Sequence, residues 1–252
     1  MCVSLCLVIA VAFAYRGRRR LDDSKRICFV TGAGSGIGKS IVRQLLANGD
    51  GVIACDINAS SLEALRQELS QSEEEQLLTV QADVRSATSM DIAAETSASW
   101  LRGRGGRLYC IVNCAGLIYG GPLTELDDAE FSMVLDVNVL GTFLTTKKLF
   151  PLLHNATLCS DETGRGAARV VIMSSEVAAA QLSPAFSAPY SMSKFAVEAF
   201  ATGLRQELGL LGLKVIVINP GATLRLPTKA HCTPAEVPRQ VLRPRSIHVV
   251  AN

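Results

Sequence analysis

The sequence is poor in the residues that build metal centres and disulfide frameworks. Its 252 residues contain only three histidines, and the eight cysteines form no CxxC pair and no metal-ligand spacing with a histidine. Cys28, Cys55 and Cys110 lie inside apolar runs, where a free thiol behaves as a small hydrophobe. We therefore expect no metal site, and we expect reduced thiols in a reducing compartment.

Charge of either sign is also scarce. The net charge is only +2, which argues against a nucleic acid or another polyanion as the partner. Charged residues make up 19% and apolar residues 48% of the chain, which excludes a disordered composition. The length is sufficient for one α/β domain with a full core.

The apolar run at the N-terminus is too short for an ordinary membrane span. Cys2 to Tyr15 is almost wholly apolar, whereas a span needs about 20 residues. Arg16, Arg18, Arg19 and Arg20 follow the run, although a cleaved signal peptide carries its basic residues before it. We expect residues 1–20 to be an uncleaved membrane anchor or interfacial segment whose basic flank stays cytosolic. A cleaved targeting sequence is the alternative.

The rest of the chain alternates between strand-like and helix-like segments. This alternation predicts βαβ units, and hence a doubly wound parallel sheet with helices on both faces. A polar stretch at 155–168 predicts a surface loop. The predicted strands are 27–31, 51–56, 77–82, 108–113, 169–174 and 213–219, and the predicted helices are 36–48, 59–70 and 191–211.

A glycine-rich turn joins the first strand to the first helix. Gly32, Gly36 and Gly38 allow a tight turn, a close approach of backbone to phosphate and close packing of the helix on its strand. Helix N–H groups and the positive end of the helix dipole point at this turn. The strand before it and the helix after it favour a Rossmann-type dinucleotide site, in which Ser35 and Ile37 also bind the cofactor.

Two acids follow the second and third strands. Asp56 lies about 20 residues beyond the glycines, where a carboxylate accepts hydrogen bonds from the adenosine 2′-hydroxyl and repels a 2′-phosphate. Because neither Ser35 nor Ile57 is basic, the sequence favours NAD over NADP. We predict that Asp83 bonds the adenine amino group and that Val84 packs on the ring. The alternatives are that Asp56 only begins a turn and that Asp83 is a solvated loop acid.

Tyr190 and Lys194 lie one helical turn apart on the same helix face. An unperturbed tyrosine has a pKa of about 10, too high for a base at neutral pH. A neighbouring ammonium favours tyrosinate and lowers that pKa. Together with the dinucleotide site, the pair suggests hydride transfer between a nicotinamide and an alcohol or carbonyl. A surface pair formed by chance is the alternative.

These motifs, in this order, resemble the short-chain dehydrogenase/reductase family over residues 25–221. The stretch 189–221 is most similar to the membrane-associated retinol and hydroxysteroid dehydrogenases. The ordered set consists of TGAGSGIG at 31–38, Asp56, Asp83-Val84, Asn113-Cys114-Ala115-Gly116, Asn138, Ser175, Tyr190-xxx-Lys194 and Pro220-Gly221.

The resemblance implies a role for each matched residue. Tyr190 would be the general acid/base, and Lys194 would lower its pKa and bond the nicotinamide ribose. Ser175, or its neighbour Ser174, would hold the substrate oxygen, and Asn138 would anchor a proton-relay water. Asn138 as a simple helix-turn cap is the alternative. The remaining cofactor contacts would come from Asn113, Ala115, Gly116, Pro220 and Gly221.

Two positions depart from the family pattern. Cys114 stands where the family usually has a second asparagine, which should weaken a hydrogen bond that supports the sheet. After Gly221 about thirty residues follow, with prolines at 234, 238 and 244 that exclude a long helix. We expect an abbreviated C-terminal part, with the substrate pocket and dimer surface incomplete.

The resemblance predicts an NAD-dependent dehydrogenase or reductase acting on a steroid, retinoid or other apolar lipid alcohol or ketone. It also predicts one catalytic domain at 25–252, a membrane location at the endoplasmic reticulum with this domain facing the cytosol, and a homodimer. A non-catalytic dinucleotide-binding protein is the alternative.

Overall fold

A six-stranded parallel sheet forms the centre of the computed structural model, which describes residues 26–157 and 168–221. The strand order is β3-β2-β1-β4-β5-β6, and every neighbouring pair is parallel. The order reverses between β1 and β4, and ligands bind at such a switch point beyond the carboxyl ends of the strands. The strands are β1 Arg26–Thr31, β2 Gly51–Asp56, β3 Leu77–Gln81, β4 Arg107–Asn113, β5 Arg169–Met173 and β6 Lys214–Ile218.

Helices cover both faces of the sheet. Along β1, Phe29 packs into one apolar core, while Cys28 and Val30 pack into the other, as the period of two along a strand requires. Helices α1 and α2 cover one face, and α4, α6 and α8 cover the other. The helices are α1 Gly36–Ala47, α2 Ala59–Gln67, α3 Gln71–Glu74, α4 Ala87–Arg104, α5 Asp128–Leu135, α6 Gly141–Thr157, α7 Glu176–Ala179 and α8 Ala188–Gly209.

The predicted fold class is confirmed, while several helix bounds were wrong. The helix predicted at 59–70 ends at Gln67. The helix predicted at 191–211 begins at Ala188, because Pro189 has its fixed φ in the first turn, where no N–H is needed. The loop predicted from residue 155 begins later, since α6 continues to Thr157, and 158–167 lie outside the described residues.

Three predictions concern parts of the chain beyond this description. The expected anchor at 1–20 and the proline-rich stretch at 233–245 both lie outside the described residues. The boundaries of the expected 25–252 domain therefore stay predictions. Among the residues that are described, none of the helices has the length and apolar character that crossing a bilayer requires.

Candidate active site

The glycine turn after β1 is built by backbone contacts. Gly32 has φ +64°, which favours a residue without a Cβ. A Cβ on Gly38 would lie 2.1 Å from the Gly32 carbonyl oxygen, so no larger residue fits there. Helix α1 begins at Gly36 with no acid in its first turn, and the Ser35 side chain makes no capping bond. The N–H groups at this helix end are thus oriented to receive an anion, and Ile37 is buried beneath them.

Asp56 holds this turn from the end of β2. Its Oδ2 accepts a hydrogen bond from the Gly34 N–H at 2.8 Å, and its Oδ1 accepts one from the Asn58 N–H at 2.9 Å. Asn58 in turn caps α2 by accepting from the Ser61 N–H at 3.1 Å. The carboxylate is therefore fixed in position beside the glycine turn, where the sequence places the ribose-binding acid.

A cavity of about 490 Å³ opens beside Asp56. It brings together residues from the turns after β1, β2, β3 and β4, which lie far apart in the sequence. The size and the mixture of apolar and acidic walls suit an adenosine group. Its walls include Gly32, Ser35, Asp56, Asp83, Val84, Arg85, Ala115, Gly116, Leu117, Met133 and Val137.

The Arg85 side chain, which the sequence analysis missed, binds Asp83, the acid that follows β3. Its guanidinium donates to both carboxylate oxygens of Asp83, at 2.9 Å from Nε to Oδ1 and 2.6 Å from Nη2 to Oδ2. Nη1 lies 2.7 Å from the Met133 sulfur. The hydrogen bond from Arg85 lowers the pKa of Asp83. Asp83 therefore faces the cavity as a held carboxylate rather than as a solvated loop acid.

The hydroxyl of Thr31, at the end of β1, is hydrogen-bonded to the backbone at the end of β4. This oxygen accepts from the N–H groups of Cys114 and Ala115 at 2.9 and 3.0 Å, and it donates to the Val112 carbonyl at 3.4 Å. The Cys114 thiol is fully buried, and burial raises its pKa, so it stays neutral. Although Cys114 stands where the family usually has asparagine, the N–H groups of Cys114 and Ala115 are still hydrogen-bonded to Thr31.

The side-chain oxygen of Asn113 accepts no hydrogen bond from the described residues. Its Nδ2 donates to Thr146 Oγ1 at 3.1 Å, whereas its buried Oδ1 has no partner among the described residues. A buried carbonyl oxygen without a partner is costly, and a ribose hydroxyl would satisfy it. The observation therefore fits a dinucleotide at this position, with Gly116 in the same cavity wall.

Asn138 lies in a short π-helical turn, Asp136–Leu140, between α5 and α6. Its Oδ1 accepts from the Leu117 N–H at 2.7 Å, and its Nδ2 donates to the Leu117 carbonyl and Ser193 Oγ at 2.9 and 2.8 Å. Turns of this kind are frequent at functional sites. Asn138 thereby connects the chain after β4 to α8, and its water-anchoring role stays a prediction.

The two serines after β5 have different surroundings. Ser174 donates to the Lys194 carbonyl at 3.4 Å, and only 1% of Ser174 is exposed. Ser175 caps α7, where its Oγ accepts from the Val177 N–H at 3.4 Å, and its surface is slightly more open. Because Ser175 Oγ accepts in this bond, its O–H can still donate, whereas the O–H of Ser174 donates to Lys194, and this favours Ser175 as the serine that meets a substrate.

Lys194 is buried between α8 and the end of β5. Only 3% of the residue is exposed, its Nζ donates to the Met173 carbonyl at 2.9 Å, and Nζ lies 5.5 Å from the ring centroid of Tyr190. Burial lowers the pKa of Lys194 to about 8. At neutral pH the group is still mostly protonated, so a positive charge lies beside the buried Tyr190.

The last predicted segment lies next to Ser175. The Pro220 carbonyl accepts a hydrogen bond from the Glu176 N–H at 3.0 Å. A Cβ on Gly221 would approach a carboxylate oxygen of Glu176 to 2.9 Å. Pro220 is buried and Gly221 is exposed, so this segment borders the opening of the site after β6.

Comparison with known proteins identifies the family. The family model for short chain dehydrogenases matches residues 26–232. The chain belongs to the short-chain dehydrogenase/reductase family. Retinol dehydrogenase 16 from Homo sapiens is 37% identical over 209 residues, which cover 82% of this chain and 60% of the relative. The chain therefore spans less than two thirds of the length of this relative.

Solved structures of the family share the fold. The NADH complex of 3-ketoacyl-(acyl-carrier-protein) reductase from Brucella melitensis has a TM-score of 0.69 and 25% identity, covering 78% of this chain and 75% of that one. An alcohol dehydrogenase from Thermococcus sibiricus with 5-hydroxy-NADP has a TM-score of 0.67 and 26% identity, covering 78% and 76%. The family thus binds nicotinamide dinucleotides of both kinds.

Proposed function

We propose that this protein is an NAD-dependent oxidoreductase that interconverts an apolar alcohol and its carbonyl compound. The observation that carries the proposal is the buried Lys194 ammonium, which lies beside Tyr190 and bonds the Met173 carbonyl at the end of β5. A buried lysine costs folding free energy, and the fold retains it at the carboxyl edge of the sheet. We explain the buried ammonium by its effect on Tyr190, which must exchange a proton near neutral pH.

The residues of this chain would divide the chemistry between them. When bound, the nicotinamide accepts or supplies the hydride. Tyr190 takes the proton from the alcohol during oxidation and returns it during reduction, while Lys194 stabilises the tyrosinate. Ser175 donates a hydrogen bond to the substrate oxygen, and so stabilises the charge that develops there. Asn138 keeps the chain after β4 fixed against the helix that carries both groups.

The choice of NAD follows from the held carboxylate of Asp56. Both of its oxygens accept backbone N–H bonds, so the carboxylate cannot turn away from a ribose. A 2′-phosphate placed there would meet a fixed negative charge. Arg85 is the cation of the cavity wall, and its guanidinium is already bonded to both oxygens of Asp83. These contacts favour NAD over NADP.

An apolar substrate is supported by the segment between Ser175 and Tyr190. Leu182 and Phe186 are 61% and 62% exposed there. Exposed apolar side chains next to a site mark a surface that binds an apolar group. The similarity to a retinol dehydrogenase points the same way. We propose as well that residues 1–20 anchor the protein at the endoplasmic reticulum, that the domain faces the cytosol, and that it acts as a homodimer.

A two-part assay tests the proposed activity. Binding of NAD and NADP is measured by calorimetry, and NAD reduction is followed with retinol, steroid alcohols and a short polar alcohol. We expect turnover with an apolar alcohol and tighter binding of NAD. Binding of the cofactor without turnover on any alcohol would instead indicate the non-catalytic alternative. Tighter binding of NADP would contradict the role of Asp56.

A further inference from the structure

Basic residues line the edge of the sheet that lies opposite the site. Four neighbouring strands each begin with one: Arg26 in β1, Arg107 in β4, Arg169 in β5 and Lys214 in β6. The register pairs Arg26 with Arg107 and Arg169 with Lys214. The register also places Arg169 opposite Cys110, three residues beyond Arg107, so the two pairs are staggered along the strands by about 10 Å. The amino edge of the sheet therefore carries a staggered row of four basic residues.

Tyr109 holds two of these charges close together. The guanidinium of Arg26 lies 4.5 Å from the centre of the Tyr109 ring, and that of Arg169 lies 4.7 Å from it. The Tyr109 hydroxyl also accepts a hydrogen bond from Arg169. The Tyr109 ring thus holds two arginine side chains at the starts of β1 and β5 by cation–π contacts.

An exposed apolar turn lies beside this row. Leu210 is 89% exposed and Leu211 is 43% exposed, in the turn that joins α8 to β6. Arg205, in the last turns of α8, is exposed and its Nε donates to the Val215 carbonyl at 3.4 Å. On the other side, Arg104 ends α4 and is exposed. We call the surface formed by Arg104, Arg107, Arg205, Leu210, Leu211 and Lys214 the basic edge.

Near the exposed leucines, the basic residues Arg205 and Lys214 outnumber the acidic Glu207, whereas Asp22 and Asp23 closely precede Arg26 in the sequence. Asp50 precedes β2 and lies next to Arg26, since the register places Ile27 opposite Gly51, while Glu73, Glu74 and Glu75 precede β3 on the far side of β2. Glu207 in the last turn of α8 is the described acid nearest in sequence to the exposed leucines. The basic edge therefore combines exposed cations with two protruding apolar side chains, as in proteins that bind the interface of an anionic membrane.

We propose that the basic edge rests on the surface of an anionic lipid bilayer. The chain before Arg26 enters the fold at this same edge. Only ten residues separate Tyr15, which ends the apolar N-terminal run, from Arg26, and they reach at most about 35 Å. This inference rests on the N-terminal anchor of the proposed function: a bilayer that holds the apolar run is within reach of the basic edge, and the candidate site at the opposite edge then faces the aqueous side.

A labelling experiment on the full chain tests this orientation without using any activity. The protein is treated with an amine-reactive reagent in phosphatidylcholine vesicles, with and without phosphatidylserine, and the modified lysines are measured by mass spectrometry. Lys214 should be labelled at least fivefold more slowly with phosphatidylserine. Lys147, exposed on α6 away from this edge, is the reference and should not change. Equal labelling of Lys214 in both vesicles would overturn the proposal.

Charge reversal provides a second, independent measurement. Each basic residue near an anionic surface contributes about fivefold to binding. The double variant Arg104→Glu/Lys214→Glu should therefore reduce the affinity ratio between anionic and neutral vesicles by at least tenfold. Lys147→Glu should change that ratio by less than twofold, although it reverses an exposed charge. Equal effects of the two variants would show non-specific attraction and contradict a contact at the basic edge.

Discussion

The candidate site has two halves, one around β1 and β2 and the other around β5 and α8, and they are built by different means. Around β1 and β2, the glycine turn is shaped by backbone contacts, and Asp56 fixes it through N–H bonds. Around β5 and α8, the proposed chemistry depends on buried side chains, above all Lys194 and Tyr190. The first half should therefore be sensitive to added volume, and the second to loss of a polar or ionisable group. Substitutions that separate these sensitivities test the comparison.

Tyr190→Phe should give the largest difference between the loss of turnover and the loss of cofactor affinity. This change keeps the ring and removes the proton that the alcohol must exchange, so turnover should fall by about 10²-fold or more. Cofactor affinity, measured by calorimetry, should barely change, since the contacts of the glycine turn lie in the other half. Tyr109→Phe, which removes another buried hydroxyl at the opposite edge, should keep near-native turnover. Similar losses in both variants would assign the effect to packing.

Gly38→Ala should damage the first half through added volume. The new Cβ would lie 2.1 Å from the Gly32 carbonyl oxygen, so the turn must shift, at a cost of about 1–3 kcal/mol in the free energy of unfolding. NAD binding should weaken as well. Gly203→Ala is the matched control, because nothing lies within 4 Å of its added methyl on α8. It should be neutral or stabilising, as alanine favours a helix. Urea unfolding and calorimetry measure both variants.

Asp56→Ala should alter which cofactor the first half prefers. The variant loses the fixed charge and the bond to the Gly34 N–H, so NAD affinity should fall by about tenfold, the effect of roughly 1.4 kcal/mol. Affinity for NADP should fall less, because the repulsion of its 2′-phosphate is also removed. Calorimetric titration of both cofactors gives the ratio. An unchanged ratio would mean that Asp56 serves the turn alone.

Lys194→Met should remove the pH dependence that the buried ammonium gives to the free energy of unfolding. The pKa is about 8 in the folded protein against 10.5 as the ordinary value, so between these values the unfolded chain binds more protons. The stability of the native protein should therefore rise with pH, by about 1 kcal/mol between pH 7 and pH 9. Lys194→Met should lack this gain. Urea midpoints of the cofactor-free proteins measure it, and parallel pH profiles would contradict the assignment.

The sequence allowed the strands and the glycine turn to be predicted because both depend on local patterns. Apolar runs of five or six residues identify β1 and β2, and only glycine suits the turn at Gly32 and Gly38. Helices α4 to α6 were not predicted. Their apolar residues do not form one clear stripe, and α6 contains Pro151 in its interior.

Contacts between distant segments could not be predicted in the same way. Arg85 follows Asp83 by two residues, but its contact with Met133 depends on the packing of α5 beside β3. The choice of Ser175 over Ser174 rests on which hydroxyl meets the Lys194 carbonyl across the fold. The sequence indicated which residue types were present, and the crossing of α8 over β5 determined which of them meet.

The pH dependence of alcohol oxidation tests the central claim, that the Lys194 ammonium adjusts Tyr190, most directly. The rate kcat/KM should rise with pH as Tyr190 loses its proton, and the midpoint of that rise is compared between the native protein and Lys194→Met. Because loss of the ammonium raises the pKa of the tyrosine, the midpoint should move to higher pH in the variant. An unchanged midpoint, with activity retained, would remove Lys194 from the mechanism.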